Sequence, residues 1–364
     1  SIFVIDDISP LRSMTPELLQ KKLHVFMPRP AIMHGTAQTP STRFPGQGEF
    51  RGPTATTSVV LQLLANAEEL DHPDPLKNKE RQEAASSESP KTETEDQDTP
   101  ASEDDPKDKV TVEVRDASGT LIRTFRRDVH LGLNRINWNY ERDGVPGPSR
   151  TFQEQPKMPP SGRRVLAGSY KLTVRFQGES QEVEVDVLDD PRIAISRTDS
   201  ANKDALRVAR EALNLRLYDV TQRLTPIQKQ LDVVRARLAI EKKPEDGEDP
   251  LDATRTALKD IDKAHKDLQD KLWGKDDKVQ GIRRNNDGLM SKFMRAARIS
   301  NSSDKPNKTE LDGMTKAAKQ VTEIEQLVAQ FFDQDLASFQ ESVRKSALTL
   351  LPMQAATDSK ADKK

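Results

Sequence analysis

A run of alternating apolar and polar residues, broken at short intervals by turn chemistry, constrains this chain more than any other feature. It occupies residues 110–188. Val110-Thr111-Val112-Glu113-Val114 has period two, which puts the three valines on one face of a strand. Asp116-Ala117-Ser118-Gly119 supplies a turn, and Leu121-Ile122-Arg123-Thr124-Phe125 resumes the strand, as a hairpin requires. The next run, Gly132-Leu133-Asn134-Arg135-Ile136-Asn137-Trp138-Asn139-Tyr140, offers Leu133, Ile136, Trp138 and Tyr140 as apolar candidates. A further run puts Tyr170, Leu172, Val174 and Phe176 on one face. Gln177-Gly178-Glu179-Ser180 then turns the chain into Val183, Val185 and Val187, and Asp190-Pro191 stops the strand. Upstream, Ser58-Val59-Val60-Leu61-Gln62-Leu63-Leu64 reads as the first strand of the same unit. Short strands at this spacing predict an immunoglobulin-like β-sandwich.

From residue 200 the period lengthens. Leu206, Ala209, Leu213, Leu217, Val220, Leu224, Ile227, Leu231, Val234 and Leu238 recur at spacings of three and four, the seam of an amphipathic helix. Pro226 should kink it or break it at Thr225. A second helix is expected from Leu251 to Trp273, with His265 on its apolar face and Gly274 as its stop. A third should carry Phe293 and Ala297 inward. A last one, starting near Thr309, should present Leu311, Met314, Ala318, Val321, Ile324 and Val328, then Phe331, Phe332, Leu336, Phe339 and Val343. Short polar breaks between them predict an antiparallel hairpin or bundle.

Composition limits what else the chain can do. Of 364 residues only 34% are hydrophobic and 32% are charged, too polar for one large core. The polar excess concentrates at 71–108, a Glu/Asp/Ser/Thr/Pro/Lys stretch without aromatics that is expected to be a disordered acidic loop insertion. Lys and Arg (57) nearly balance Asp and Glu (59), so the charge makes no case for nucleic acid. With no cysteine there is no disulfide and no thiolate metal site. No apolar run approaches the roughly 20 residues of a transmembrane helix. The chain opens on Ser1 and strand-like Ile2-Phe3-Val4-Ile5, so it is expected to be a piece of a longer polypeptide, with any export signal upstream. At Thr15-Pro16-Glu17 a helix start is expected, and Met27-Pro28-Arg29-Pro30 reads as an extended linker.

Residues that could carry chemistry do not assemble into a site. His24, His34, His72, His130 and His265 show no metal-ligand spacing, no nucleophile triad is evident, and no Gly-rich phosphate loop precedes a helix. No cofactor is therefore expected. Asp6-Asp7 and Asp189-Asp190 are neighbours in sequence, which on a strand point to opposite faces, so turn roles explain them better than an acid/base dyad. Trp138 and Tyr140 could form a sugar-stacking platform, but a sandwich core is the expected place for both. Arg207, Arg210, Arg216 and Arg223, interleaved with acids, read as a solvated face. Asn301-Ser302-Ser303 and Asn307-Lys308-Thr309 fit the short N-glycosylation pattern.

Several segments, in order, carry a family resemblance. Ile2-Phe3-Val4-Ile5-Asp6-Asp7-Ile8-Ser9-Pro10-Leu11-Arg12 resembles the closing strand of the sortilin-type, Asp-box (bacterial neuraminidase repeat) β-propeller of bacterial exported, glycosyl-hydrolase-like proteins. Val25-Phe26-Met27-Pro28-Arg29-Pro30 is similar to the proline-rich connection that follows it. Val112-Glu113-Val114-Arg115-Asp116, Gly119, Gly132-Leu133-Asn134-Arg135-Ile136-Asn137-Trp138 and Leu166-Ala167-Gly168-Ser169-Tyr170 resemble the immunoglobulin-like module of flagellar hook-capping proteins. Asp190-Pro191-Arg192 and the helices to Pro352 look like the family's C-terminal tail. No Ser-x-Asp-x-Gly-x-x-Trp box occurs in this chain, so the propeller itself and any site on it have no counterpart here.

The resemblance implies a non-catalytic C-terminal accessory region of an exported protein, periplasmic, surface-bound or secreted. Its expected fold is multidomain β plus α. A propeller remnant and linker would occupy 1–47, a hook-capping-type sandwich 48–192, a helical hairpin or bundle 193–352, and a disordered tail 353–364. The expected partners are its own upstream propeller and a protein or glycan ligand. Leu213, Leu217, Val220 and Leu224 are the candidate contact residues if the bundle leaves that seam uncovered. Two other readings remain: part of a glycoside hydrolase or sialidase-like enzyme with its active site in the upstream propeller, and a helical protein-interaction adaptor.

Overall fold

The structure, a computed structural model, describes residues 7–34, 57–88, 107–154, 158–241, 248–275, 287–302, 304–346 and 348. The strand-like Ile2-Phe3-Val4-Ile5 lies outside them, as do Asp6 and the tail from residue 349. The chain is mixed β and α and divides into two compact units. One holds Ser1–Val145, Pro156–Asp204 and Ser302–Lys305; the other holds Pro146–Gln155, Ala205–Asn301 and Pro306–Lys364.

The first unit is built from two main sheets. Strands β1 (Leu23–Val25), β3 (Val59–Ala65) and β6 (Gly132–Trp138) form a three-stranded sheet in the order β1-β3-β6. The five-stranded sheet contains β2 (Ala31–Met33), β4 (Lys109–Arg115), β5 (Leu121–Asp128), β9 (Gly168–Phe176) and β10 (Glu179–Asp189). Its order is β2-β10-β9-β4-β5. All pairings are antiparallel except β2 with β10. The alternation read from the sequence decides the packing. Val110, Val112, Val114, Leu172, Val174, Phe176, Val183, Val185 and Val187 from one sheet join Val59, Leu61, Leu63, Ile136 and Trp138 from the other in one buried cluster. Leu133, on the opposite parity to Ile136 and Trp138, is exposed. At the β9–β10 turn Gln177 and Gly178 both take positive φ (44° and 82°), the two-residue geometry that matches the twist of a hairpin.

Tyr140 reaches the core by a different route from the one expected. Strand β6 ends at Trp138, and Tyr140 sits beyond it with φ 60°, a left-handed backbone that costs an L-residue roughly 1–2 kcal/mol. Its ring is fully buried, 6.2 Å from that of Trp138, and its hydroxyl donates to the Ile32 carbonyl at 3.2 Å. The Trp138 indole N–H donates to the Glu141 carbonyl at 2.8 Å. Behind this turn, β7 (Glu141–Asp143) and β8 (Ser161–Arg164) form a small third sheet. Arg123, buried on β5, holds it with hydrogen bonds to Asp143 (3.0 Å) and to the carbonyls of Pro159 and Pro160 (3.0 and 2.8 Å).

The segment read as a linker is part of the sheets. Met27-Pro28-Arg29-Pro30 connects β1 in one sheet to β2 in the other, so residues 23–33 supply an edge strand to each. Gln181 on β10 closes the edge of β1. Its carboxamide accepts from the Val25 N–H and donates to the Val25 carbonyl, both at 2.8 Å, in the manner of a strand neighbour. Two short helices, α1 (Ser9–Ser13) and α2 (Pro16–Leu19), are tied to β3 by Gln62, which donates to Asp7 (3.0 Å), and to the residue just past it, Asn66, which donates to the Leu19 carbonyl (2.8 Å). Thr15 caps α2 as its sequence predicts.

The acidic insert needs a correction. It was expected to be disordered throughout, but residues 75–88 form helix α3 (Pro75–Glu88); residues 89–106 lie outside the described set. Burial was the wrong criterion for this piece. Lys, Glu, Gln and Ala favour a helix without a core, Asp74 accepts from the Leu76 N–H, and Arg81 anchors the first turns to the Leu70 carbonyl.

The second unit is a set of helices around its own cluster. Helix α4 (Arg197–Leu224), whose first residues belong to the sheet unit, ends just before Thr225-Pro226, and α5 (Ile227–Ile240) follows, as the proline requires. Next come α6 (Asp252–Trp273), stopped by Gly274 at φ 89°, and α7 (Leu289–Ala296). Helix α8 (Lys308–Gln330) starts with a full capping box. Asn307 accepts from the Glu310 N–H while Glu310 accepts from the Asn307 N–H, both at 3.0 Å. The other Glu310 oxygen accepts from Ser300 N–H and hydroxyl. A π-helical turn, Phe331–Leu336, leads into α9 (Ala337–Lys345). Met314, Ala317, Val321, Ile324 and Val328 are buried, whereas Leu311 and Ala318 of the expected seam are exposed.

Two expected outcomes follow from the sheet unit. Gln181→Ala should lower unfolding stability by about 1–3 kcal/mol, the cost of leaving a partly buried N–H and C=O without partners, as read by urea denaturation. Asp190, buried just past β10, accepts from the Arg192 guanidinium at 2.7 and 2.9 Å and from the Arg192 N–H at 3.0 Å. These bonds pull its carboxyl down from 3.8 to about 2. A depressed native value means that the stabilisation is complete above the unfolded value near 4 and is lost as pH falls through 2. Asp190→Asn should therefore be less stable than the parent at neutral pH and flatter between about pH 4 and 2 in thermal melts.

Candidate functional site

Polar and aromatic groups in the sheet unit are consumed by structure. The Trp138 ring lies 5.3 Å from that of Tyr170, and the Tyr170 hydroxyl donates to the Leu166 carbonyl at 2.6 Å. Burial pushes the hydroxyls of Tyr140 and Tyr170 up to about 12, so both stay protonated and act as donors. Trp138 and Tyr140 thus form core, as expected, and offer no ring face to a sugar. Asp7 accepts from the Ser9 N–H at 3.0 Å and pairs with Arg29 at 2.8 Å, and Asp190 holds Arg192; these are turn and anchoring roles. Among the described residues, no three His, Asp or Glu side chains are placed to share a metal ion.

The helical seam proposed for partner contact is covered. Leu213, Leu217, Val220 and Leu224 all lie in the buried cluster of the second unit, with Leu217 fully enclosed. The condition for their role in contact is not met, because the apolar faces of α6, α7 and α8 contribute Leu268, Leu272, Phe293, Val321 and Ile324 to the same cluster. His265 is likewise packed, 5.8 Å from the Phe331 ring and 3.3 Å from the Gln269 amide; burial lowers its pKa against a smaller opposing effect of Asp262.

An open apolar feature lies elsewhere in the helical unit. Ile227, Gln230, Leu231 and Val234 of α5 face Leu336, Phe339, Gln340 and Val343 across a half-open groove of about 180 Å³. Two local irregularities make it. Pro226 resets the helix axis, so that α5 begins with Ile227 buried. On the other wall, the π turn advances the phase by one residue. A regular helix continuing from Val328 and Phe331 would turn Gln334 or Asp335 inward; the extra residue brings Leu336 and Phe339 in instead. None of the lining residues is ionisable, and the two glutamines are exposed. The groove can hold an apolar side chain and offer an amide to a backbone; it has no group to move a proton.

The sequence reading missed the partners of the basic face. Arg216 on α4 makes a bidentate pair with Glu325 on α8 (2.6 and 2.9 Å), and Arg207 donates to the Ser300 carbonyl at 2.9 Å. The Arg223 guanidinium lies 4.8 Å over the Phe332 ring. A phase break in the apolar pattern, the five-residue step from Phe331 to Leu336, was the available signal for the groove.

Leu217→Ala should cost about 2–5 kcal/mol in denaturant unfolding, the range for a cavity in a packed core, and leave the mass by light scattering unchanged. A contact residue would do the reverse. The chain matches no family model, no curated protein and no solved structure.

Proposed function

We propose that this chain is a non-catalytic accessory region of an exported bacterial β-propeller protein, in which an immunoglobulin-like sandwich and a helical bundle pack beside the propeller and contact another protein. The observation that carries the reading is where the chemistry-bearing side chains go. Trp138, Tyr140, Tyr170, Asp190 and His265 each serve packing or an internal hydrogen bond. The open feature, by contrast, is apolar and suited to a protein side chain. Protein contact is favoured over glycan contact because the aromatic pair that would stack on a sugar is buried. The buried seam also favours an intramolecular bundle over a helical adaptor that oligomerises through it.

The test is the reading frame that encodes the polypeptide around this chain. The expected result is an upstream β-propeller with several Ser-x-Asp-x-Gly-x-x-Trp boxes, and a longer protein whose sheet unit melts at a higher temperature than in this chain alone. An upstream frame without such repeats overturns the reading. A propeller with convergent Asp, Glu and Arg residues and measurable glycoside hydrolysis would favour the enzyme reading instead.

A further inference from the structure

We propose that the groove between α5 and α9 is the docking site for the chain's own segment at residues 350–353, Leu350-Leu351-Pro352-Met353. Residues 349–364 lie outside the described set, so the inference rests on the groove, on the backbone and hydrogen bonds at Ser346 and Leu348, and on the sequence that follows. It stands independently of the accessory-region reading.

Three observations converge. The first is the direction of the chain. Helix α9 ends at Ser346, which turns to extended backbone (φ −78°, ψ 158°). Its hydroxyl donates to the Val343 carbonyl at 2.7 Å and accepts from the Leu348 N–H at 3.3 Å. The turn is thus pinned at Val343, a residue of the groove wall, and Leu348 packs against the bundle's apolar cluster. The second is the sequence beyond. Leu350, Leu351 and Met353 form the last group of large apolar residues, since Gln354 to Lys364 contains only small, polar or charged ones. Pro352 adds no N–H that an apolar groove would leave unsatisfied. The third is size. From Leu336 to Val343 the wall rises roughly 10 Å at the helical step, and a four-residue extended segment covers roughly 13 Å. A space of about 180 Å³ exceeds the engineered cavities of ~150 Å³ that accept a benzene-sized group, so it takes one leucine side chain with room to spare. Gln230 and Gln340 at the rim can bond the backbone of such a strand.

The absence of cysteine makes the test direct. In the full chain, Leu351→Cys places a single small, apolar thiol in the proposed docking segment, and Lys363→Cys places one near the terminus as a reference. The rate of each with a water-soluble aromatic disulfide reagent is measured at several protein concentrations. The expected result is that the Leu351→Cys thiol reacts on the order of tenfold more slowly than the reference, independently of concentration, because it must first undock. Val343→Lys in the same background should restore the reference rate with the helical circular dichroism unchanged. Val234→Lys on the opposite wall gives the same reading if the first variant loses helicity. Equal rates at the two positions overturn the proposal. Protection that survives both wall variants overturns it too, because the segment then packs elsewhere. Protection that rises with concentration and accompanies a dimer assigns the groove to a second copy.

Discussion

One layer of buried aliphatic and aromatic side chains, contributed by two sheets at once, is the constraint on which the β unit depends. Strands of period two can bury only one face each, so neither sheet is stable without the other. The edges are the weak points of that arrangement, and the N-terminal segment answers for two of them. It crosses from β1 to β2 through a proline-rich stretch, and both new edge strands are fastened by side chains: Gln181 holds Val25, and the Tyr140 hydroxyl holds Ile32. The left-handed backbone at Tyr140 is the local cost of placing that hydroxyl.

The helical unit solves a similar problem with charge at the margins and apolar contact inside. Arg216 with Glu325 joins α4 to α8, and Arg235 with Asp262 (2.7 and 2.8 Å) joins α5 to α6, both in the bidentate form that fixes geometry as well as strength. Arg255 closes the C-terminal end of α5 by donating to the carbonyls of Leu238 and Glu241. Such ties set the helices in register. The π turn then decides which residues of the last helical stretch face the centre, and the groove is the local consequence of that phase change.

Much of the architecture could be read from local rules. Alternation located most strands of the two main sheets, Pro226 located a helix break, and Gly274 a helix end, because each of these acts within a few residues. What escaped was set by distance or by small shifts of phase. Leu23 to Met33 looked like a connection because three-residue strands carry no periodicity; only partners far along the chain, at residues 63–65 and 187–189, make them strands. The helix at 75–88 was missed because low hydrophobicity was taken to preclude structure, whereas local capping is enough to order a helical segment. The arginines of α4 do lie on an exposed to half-exposed face, but the partners of three of them, Glu325, Ser300 and Phe332, come from far along the chain and carry no local signal. For the groove, the residues were all identified as apolar; that they leave a gap depends on one extra residue in a turn.

The sheet unit does not end where its last strand ends. Its buried Lys203 is paired at 3.5 Å with Asp304, and residues 302–305 belong to that unit although most of the helical unit intervenes in the sequence. On a ribosome adding roughly 5–20 residues per second, Asp304 emerges some 5–20 s after Lys203. Until then the nascent first unit lacks the Asp304 carboxylate that pairs with Lys203. Completion of the first unit is therefore timed by synthesis of the second, and the two cannot be made as separate pieces by cutting the gene at one point.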